Sequence, residues 1–391
     1  DIRDFTTIIE DMSPQESFAF INSYLQHMEP VITRHNGIID KFIGDRIMAL
    51  FPTNADDALH CAIEMLDALV SFNEGRKKSA KTPLRIGIGL NTGLMMFGII
   101  GGKHRLESTV ISDAVNLASR IESMTRNYET PLLISEQTYF AIEDVARHDT
   151  RFIDRVKLKG RKQPLSIFEV FDADPPALRD AKRKTKGMFE EALARYHFKD
   201  VPAADKLLSE CLRQAPADTA GQVYRARCER FMKTGVHEGS GEFDLVIQWN
   251  PSLEIGHAEI DAQHRELFDW VGRFVESIRK NRDCQHVHAI IEFLDGYAAK
   301  HFEAEERYMA EKNYPFLQLQ KDEHRRFASC FKSFKEEIRK DIPARRNFLL
   351  FRVQIFLIDW LVDHIAKLDG HFGKFLNRTV AAGCHRISVH G

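Results

Sequence analysis

Two sets of residues in this chain have the types and spacing that chemistry needs. The first sits in a hairpin, Gly37-Ile-Ile-Asp-Lys-Phe-Ile-Gly-Asp-Arg-Ile-Met-Ala-Leu-Phe51, where apolar flanks surround Gly44-Asp45. A two-residue turn needs positive φ, which glycine supplies, so the pair predicts a tight turn with the Asp45 carboxylate at its tip. Lys41 places a cation within a strand that otherwise reads as buried, and such a cation needs a partner or a task. The plainer alternative is a strand lysine whose ammonium reaches the sheet edge. The second set lies far downstream: His264, His301 with Glu305 one turn later, His324, and His364 with Asp369. One histidine on a helix is usually a satisfied polar residue. Four on separate helices, two of them with carboxylates, predict ligands converging in a bundle core. Imidazole with carboxylate suits non-haem iron better than calcium or copper, with manganese and zinc as alternatives. His286 and His288 precede His301 by about four turns, roughly 20 Å along a continuous helix, and read as surface residues.

Elements must position these groups. Helical apolar spacing over Phe18–Met28 and Ala55–Phe72 alternates with strand-like runs at the hairpin, Leu84–Leu90, Leu132–Ser135 and Ile167–Phe171, which predicts an α+β layer fold with the hairpin at its centre. Ser108–Arg120 passes from a short strand into a helix, where Asn116 and Arg120 share a face and read most simply as a solvated polar stripe. Asp174-Pro-Pro176 ends this segment, and the basic entry Ala177–Lys186 is expected to be a solvated helix face. Helices over Phe189–Tyr196, Val201–Gln214 and Thr219–Lys233 follow, then a short break at Gly235–Gly241 and three or four long helices.

At 391 residues the chain predicts two or three domains. A balance of 55 basic against 57 acidic residues argues against nucleic-acid binding. Cys61, Cys211, Cys228, Cys284, Cys330 and Cys384 show no C-x-x-C spacing and read as reduced, hence cytoplasmic. Phe348–Val362 carries Arg352, Gln354 and Asp359, so it reads as a bundle helix and no membrane span is expected. The opening lacks an initiator methionine and begins where a strand should be ending, which reads as a fragment of a longer protein.

Four ordered motifs, Asp1-Ile-Arg-Asp-Phe-Thr6, Lys41-Phe-Ile-Gly-Asp45, Arg85-Ile-Gly-Ile-Gly-Leu-Asn-Thr-Gly93 and Asp113-Ala-Val-Asn-Leu-Ala-Ser-Arg120, make residues 1–172 resemble the class III nucleotidyl cyclase domain. The resemblance implies a ferredoxin-like βαββαβ core, with Asp1, Asp45 and the Ile2 carbonyl holding two Mg²⁺ (or Mn²⁺) ions. Asn116 would orient the ribose and Arg120 would hold the α-phosphoryl charge. Lys41 and Thr109 would read adenine, since guanylate cyclases of this family typically carry glutamate and cysteine there. Lys159 matches the triphosphate lysine, and Ser112 stands where the family usually has glycine. A head-to-tail homodimer is implied, each site drawing its aspartates from one subunit and its base and ribose residues from the twin.

In residues 175–244, Ala192, Ala204, Cys211 and Pro216 resemble the small-residue and terminal-proline positions of a tetratricopeptide repeat. One such unit cannot bury its face alone, so a structural connector packed on something else, or on its copy in a dimer, is expected. Ile260-Asp-Ala-Gln-His264, His301-x-x-x-Glu305 and His364-x-x-x-x-Asp369 make residues 245–391 resemble a bacterial hemerythrin domain, an all-α four-helix bundle. That implies a di-iron centre with O₂ or another small diatomic ligand. Gln320-Lys-Asp-Glu-His324 departs from the family's His-x-x-x-His, and an amide is a weaker iron ligand than imidazole. Together these imply an adenylate cyclase acting on ATP under a C-terminal di-iron sensor. The alternatives are an iron-binding module on an inactive cyclase, or a guanylate cyclase.

Overall fold

The computed structural model describes residues 1–79, 81–102, 105–157, 164–235, 249–279, 284–340, 342 and 345–376. They form two compact units, Asp1–Tyr196 with Asp200–Gly241, and His197–Lys199 with Glu242–Gly391.

In the first unit, β1 (Ile38–Ile43) and β2 (Arg46–Leu50) pair through the expected turn, with Gly44 at φ +65°. The register runs Ile39 to Ala49 and then Lys41 to Met48, leaving Asp40 as a bulge. In an unbroken strand Lys41 would share the face of Ile39, which packs on the core residues Val31, Ile32 and Cys61. The bulge turns Lys41 to the other face, which resolves the problem of a cation in an apolar strand. Strands β3 (Ile88–Leu90), β4 (Met96–Gly102), β5 (Arg105–Ile111), β6 (Leu132–Ser135), β7 (Thr150–Val156) and β8 (Leu165–Val170) follow. The mixed sheet has the order β3-β6-β8-β7, with only the β3–β6 pair parallel, and β4–β5 is a separate ribbon. The β1–β2 hairpin is also a ribbon of its own and does not sit at the centre of that sheet. Leu84–Leu90 shortens to β3 because its first half pairs elsewhere: the Arg3 amide donates to the Arg85 carbonyl at 2.8 Å and the Gly87 amide to the Asp1 carbonyl at 2.9 Å. Those bonds fix Asp1.

Helices α1 (Phe5–Ile9), α2 (Pro14–Arg34), α3 (Ala55–Lys78), α4 (Asp113–Met124) and α5 (Glu136–Ala141) complete the layer. A capping box between Ser13 and Glu16, with Pro14 behind it, starts α2. Ser112 caps α4 from an extended backbone, φ −165°, accepting from the Ala114 amide, so the position needs no glycine. Glycine is needed at Gly89, where a Cβ would lie 2.5 Å from the Ala118 carbonyl oxygen. Its absence lets α4 close onto β3.

The connector forms α6 (Pro176–His197), α7 (Val201–Gln214) and α8 (Thr219–Thr234). α6 starts earlier than expected because a proline in the first turn loses no hydrogen bond there. The basic entry is not simply solvated: Lys182 is buried, its ammonium 2.7 Å from both Glu169 and Asp174. Buried Glu169 on β8 requires a cation, and Lys182 supplies one. The connector packs on the sheet of its own chain. Arg151 on β7 donates to Asp218 at 2.7 and 2.6 Å and to Glu169 at 2.6 Å, with Phe189 4.1 Å below its guanidinium. Tyr224 donates to the Ile153 carbonyl, and Arg227 and Tyr128 both reach Asp154. Ala192, Ala204 and Cys211 are fully buried, as small residues at helix contacts should be. Burial pushes the thiols of Cys61, Cys211 and Cys228 up to about 12, and these and Cys330 are free.

In the second unit, α9 (Ala258–Arg279), α10 (Cys284–Glu311), α11 (Leu317–Arg339) and α12 (Arg346–Asp363) pack around a ring as a four-helix bundle. α12 runs into a π-helical turn, His364–Asp369, before the chain continues helically over 370–376. Phe327 stacks on Phe331 and Phe356 and lies tilted against Trp360 in the core. No described helix is long and apolar enough to cross a membrane.

Candidate functional site

The first site gathers where the start of the chain meets the hairpin tip and α4. The Asp45 carboxylate accepts from the Ile2 amide at 2.9 Å, which brings Asp45 beside Asp1. Asp1 accepts from Arg46 at 2.7 Å and has Arg126 at 3.6 Å. Arg46 also donates to Ser119 and lies 3.5 Å from Glu122, a buried α4 carboxylate whose two oxygens accept no hydrogen bond. The carboxylates of Asp1 and Asp45 are hard oxygen donors of the kind magnesium and manganese take, so the donor set fits divalent ions. The Arg46 guanidinium already stands against Asp1, so an ion using that oxygen must displace it. Arg46 and Glu122 were not legible as site residues. Arg46 directly follows Asp45, and Glu122 lies two residues beyond Arg120.

Lys41 lies 3.3 Å from the nearly buried Asp40 carboxylate, the partner its strand position demanded. Asn116 is exposed and Arg120 half-buried on α4, and neither side chain makes a hydrogen bond among the described residues. Thr109 is placed in β5 opposite Gly98, but its side chain lies outside the described residues, as does Lys159. Leu94, Met96, Phe97 and Ile99, on and just before β4, are exposed.

The second site is inside the bundle. His264, His301, Glu305, Gln320, His324, His364 and Asp369 are all buried. Ligand atoms of His264, His301 and Glu305 lie within 4.8 Å of one another, as do those of Glu305, His324 and His364, so Glu305 belongs to both triads. Asp369 lies 3.4 Å from His264 Nε2 and 3.3 Å from His364 Nε2. Both nitrogens of His264, Oε1 of Glu305 and Oδ2 of Asp369 are buried without a hydrogen-bond partner. Buried polar atoms left so are costly unless something binds them, and imidazole with carboxylate is a donor set that fits iron. Second-rank partners, which the sequence did not reveal, aim the rings. His301 Nδ1 is 2.9 Å from Gln263 Oε1, and His324 Nδ1 is 2.8 Å from Glu306 Oε1, so each ring turns Nε2 inward. Phe302 stacks on His324 and Trp360 on His364. Burial holds His301 down to about 3 and lowers His264 as well, keeping both neutral as ligands must be. Burial, with Glu305 alongside, pushes Asp369 well above the ordinary carboxylate range. His288 is half-buried on α10, and the side chain of His286 lies outside the described residues.

Residues 1–170 match the adenylate and guanylate cyclase catalytic domain, and residues 256–376 the hemerythrin HHE cation-binding domain. An adenylate cyclase of Anabaena cylindrica is 45% identical over 176 residues, covering 44% of this chain and 35% of that protein. The terminal-differentiation-specific adenylate cyclase of Dictyostelium discoideum is 36% identical over 242 residues, 60% of this chain and 11% of that one. The chain thus spans about a third or less of the length of these relatives. Among solved structures, the guanylyl cyclase Cya2 is 37% identical, with a TM-score of 0.40 over 45% of this chain and 90% of that one.

Proposed function

We propose, from the match of residues 1–170 to the adenylate and guanylate cyclase catalytic domain and of residues 256–376 to the hemerythrin HHE domain, that the chain is an adenylate cyclase whose output is set by a di-iron centre in its bundle. The observation that carries the catalytic half is the Asp45 carboxylate bonded to the Ile2 amide beside Asp1. Divalent ions held by Asp1, Asp45 and the Ile2 carbonyl would supply Lewis-acid activation of the ribose 3'-hydroxyl and neutralise the triphosphate. Asn116 orients the ribose, Arg120 holds α-phosphoryl charge, and Lys159 holds the triphosphate; these act by positioning and electrostatics. Lys41 donates to an adenine ring nitrogen and Thr109 accepts from the amino group, which favours ATP over GTP. The exposed apolar run Leu94, Met96, Phe97 and Ile99 supports a homodimer, because a patch of that kind is seldom left to water.

In the bundle, His264, His301, His324 and His364 with Glu305 and Asp369 would hold an iron pair, which would supply a redox change and a place for O₂ or another small diatomic ligand. A change at those ligands moves the helices that carry them. The connector is fastened to β7 through Arg151 and Asp218, so displacement of α8 reaches the cyclase sheet.

The test measures cyclic AMP and cyclic GMP made from ATP and GTP by iron-loaded protein, under air and without oxygen. Cyclic AMP at rates that differ between the gases is the expected result. Equal rates with iron bound remove the sensing claim. One observation favours a second reading, an iron-binding module on a silent cyclase: Arg46 already grips Asp1. Absence of either product would put that reading ahead.

A further inference from the structure

We propose that Gln320 is a hydrogen-bond donor and not a metal ligand, and that it leaves the His324/His364 position of the bundle open to a small anion. The proposal rests on the di-iron reading above. The cage is even-handed: one position has the imidazoles of His264 and His301, the other those of His324 and His364, and Glu305 serves both. Asp369 also reaches both sides, 3.4 Å from His264 and 3.3 Å from His364. Each position therefore commands two imidazoles and two shared carboxylates, fewer donors than a six-coordinate ion takes.

Gln320 is a further side chain beside the second position, and its surroundings decide which end of the amide faces the cage. The residue is 1% exposed. One amide atom lies 2.5 Å from Asp369 Oδ1 and 3.4 Å from Glu305 Oε2, and the same atom is 3.0 Å from His364 Nε2. With a cation in the cage both carboxyls are ionised and their oxygens only accept, so the atom facing two of them is then the NH₂. With the amide reversed, its carbonyl oxygen would meet both carboxylates head-on. An amide nitrogen has no lone pair to give a metal; one N–H goes to Asp369, and the other faces His364 Nε2 at 3.0 Å and Glu305 at 3.4 Å, so it would be left for a ligand once a metal took the imidazole lone pair. A small monoanion that accepts a hydrogen bond is the ligand class this arrangement fits.

The experiment uses the full chain loaded with iron(III), counting metal by elemental analysis and titrating with azide by its optical charge-transfer band. Wild type, Gln320→His and Gln320→Leu are compared. The expected result is two irons per chain in all three. Wild type then takes up two azides, Gln320→His takes one, and Gln320→Leu takes two with the second weakened about tenfold or more. A single azide in wild type, unchanged uptake in Gln320→His, or unweakened binding in Gln320→Leu overturns the proposal. Fewer than two irons in wild type overturns the di-iron reading itself, which the metal count separates from a failure of the Gln320 assignment.

Discussion

Replacing Asp218 asks whether buried charge fastens the helical connector to the sheet. Asp218 is fully buried and takes two bonds from Arg151, at 2.7 and 2.6 Å, while the third Arg151 bond goes to Glu169. Removing one partner of a buried pair costs ~3–5 kcal/mol, because the other charge is left stranded. Glu169 still holds Arg151, so the lower end, ~3 kcal/mol, applies to Asp218→Asn. Asp218→Ala also loses the cap on α8, where the carboxylate accepts from the Gly221 amide, adding ~1 kcal/mol. In a unit of this size each kcal/mol moves Tm by ~2–4 °C, so Asp218→Asn should melt ~6–12 °C lower and Asp218→Ala ~8–16 °C lower. Calorimetry reads the first unit. Trp249, Trp270 and Trp360 all lie in the second, so tryptophan fluorescence is the internal control. The pH dependence has a definite sign. Burial alone would raise the Asp218 carboxyl, but the Arg151 charge and bonds outweigh it and hold it below 3.8. A carboxylate depressed in the folded state contributes stability above its unfolded value that is lost as pH falls through the folded one. The mutant deficit should therefore shrink below pH 3.8. A deficit under ~1 kcal/mol at neutral pH, well short of what breaking a buried pair costs, or a fluorescence transition that shifts equally, would refute the reasoning.

Four further outcomes are expected. Asp45→Ala should abolish cyclic nucleotide formation while leaving iron content unchanged; parallel loss of both would contradict separate sites. Arg46→Ala removes the cation 2.7 Å from Asp1 and should tighten Mn²⁺ binding several-fold in iron-loaded protein, read by electron paramagnetic resonance of free Mn²⁺; weaker binding would make Arg46 a support of the site. Lys41→Glu should move the ATP-to-GTP rate ratio toward GTP by about tenfold or more, the worth of one charged hydrogen bond, and an unmoved ratio would take Lys41 out of base recognition. Glu305→Ala should cost both irons and His264→Ala only one, because Glu305 alone belongs to both triads, and equal losses would break the shared-carboxylate geometry.

The hairpin turn and the histidine cluster were legible because each follows from a local rule. Gly44-Asp45 carries its own turn chemistry, and His301 with Glu305 obeys the helical period. The bulge at Asp40 was not legible, since no residue type there demands one, yet it decides which way Lys41 faces. His364 and Asp369 were paired in the sequence although a regular helix would not bring them together. On a regular helix, at about 100° per residue, positions five apart face about 140° away from each other. The π-helical turn, whose hydrogen bonds span five residues, brings them to one side. The burial of Lys182 was not legible, because its demand comes from Glu169 on a strand and a run of Lys and Arg does not reveal which member turns inward.

The two units treat buried charge in opposite ways, and the contrast separates structural from functional burial. Around Arg151 the charges meet: Asp218, Glu169 and Lys182 each contact an opposite charge within 2.7 Å, which rigidifies the join between connector and sheet. In the bundle, Glu305 and Asp369 are equally buried, yet one oxygen of each accepts nothing and His264 is unpartnered at both nitrogens. Replacing the Arg151 cluster with apolar side chains could be neutral, since burial and pairing there nearly cancel. No such exchange is open to the bundle cluster, whose unmet lone pairs a cation can satisfy together. Glu122 extends the same logic to the first site. It is buried, it accepts no hydrogen bond, and Arg46 already stands 3.5 Å away, so Glu122 can receive the guanidinium when an ion takes its place on Asp1.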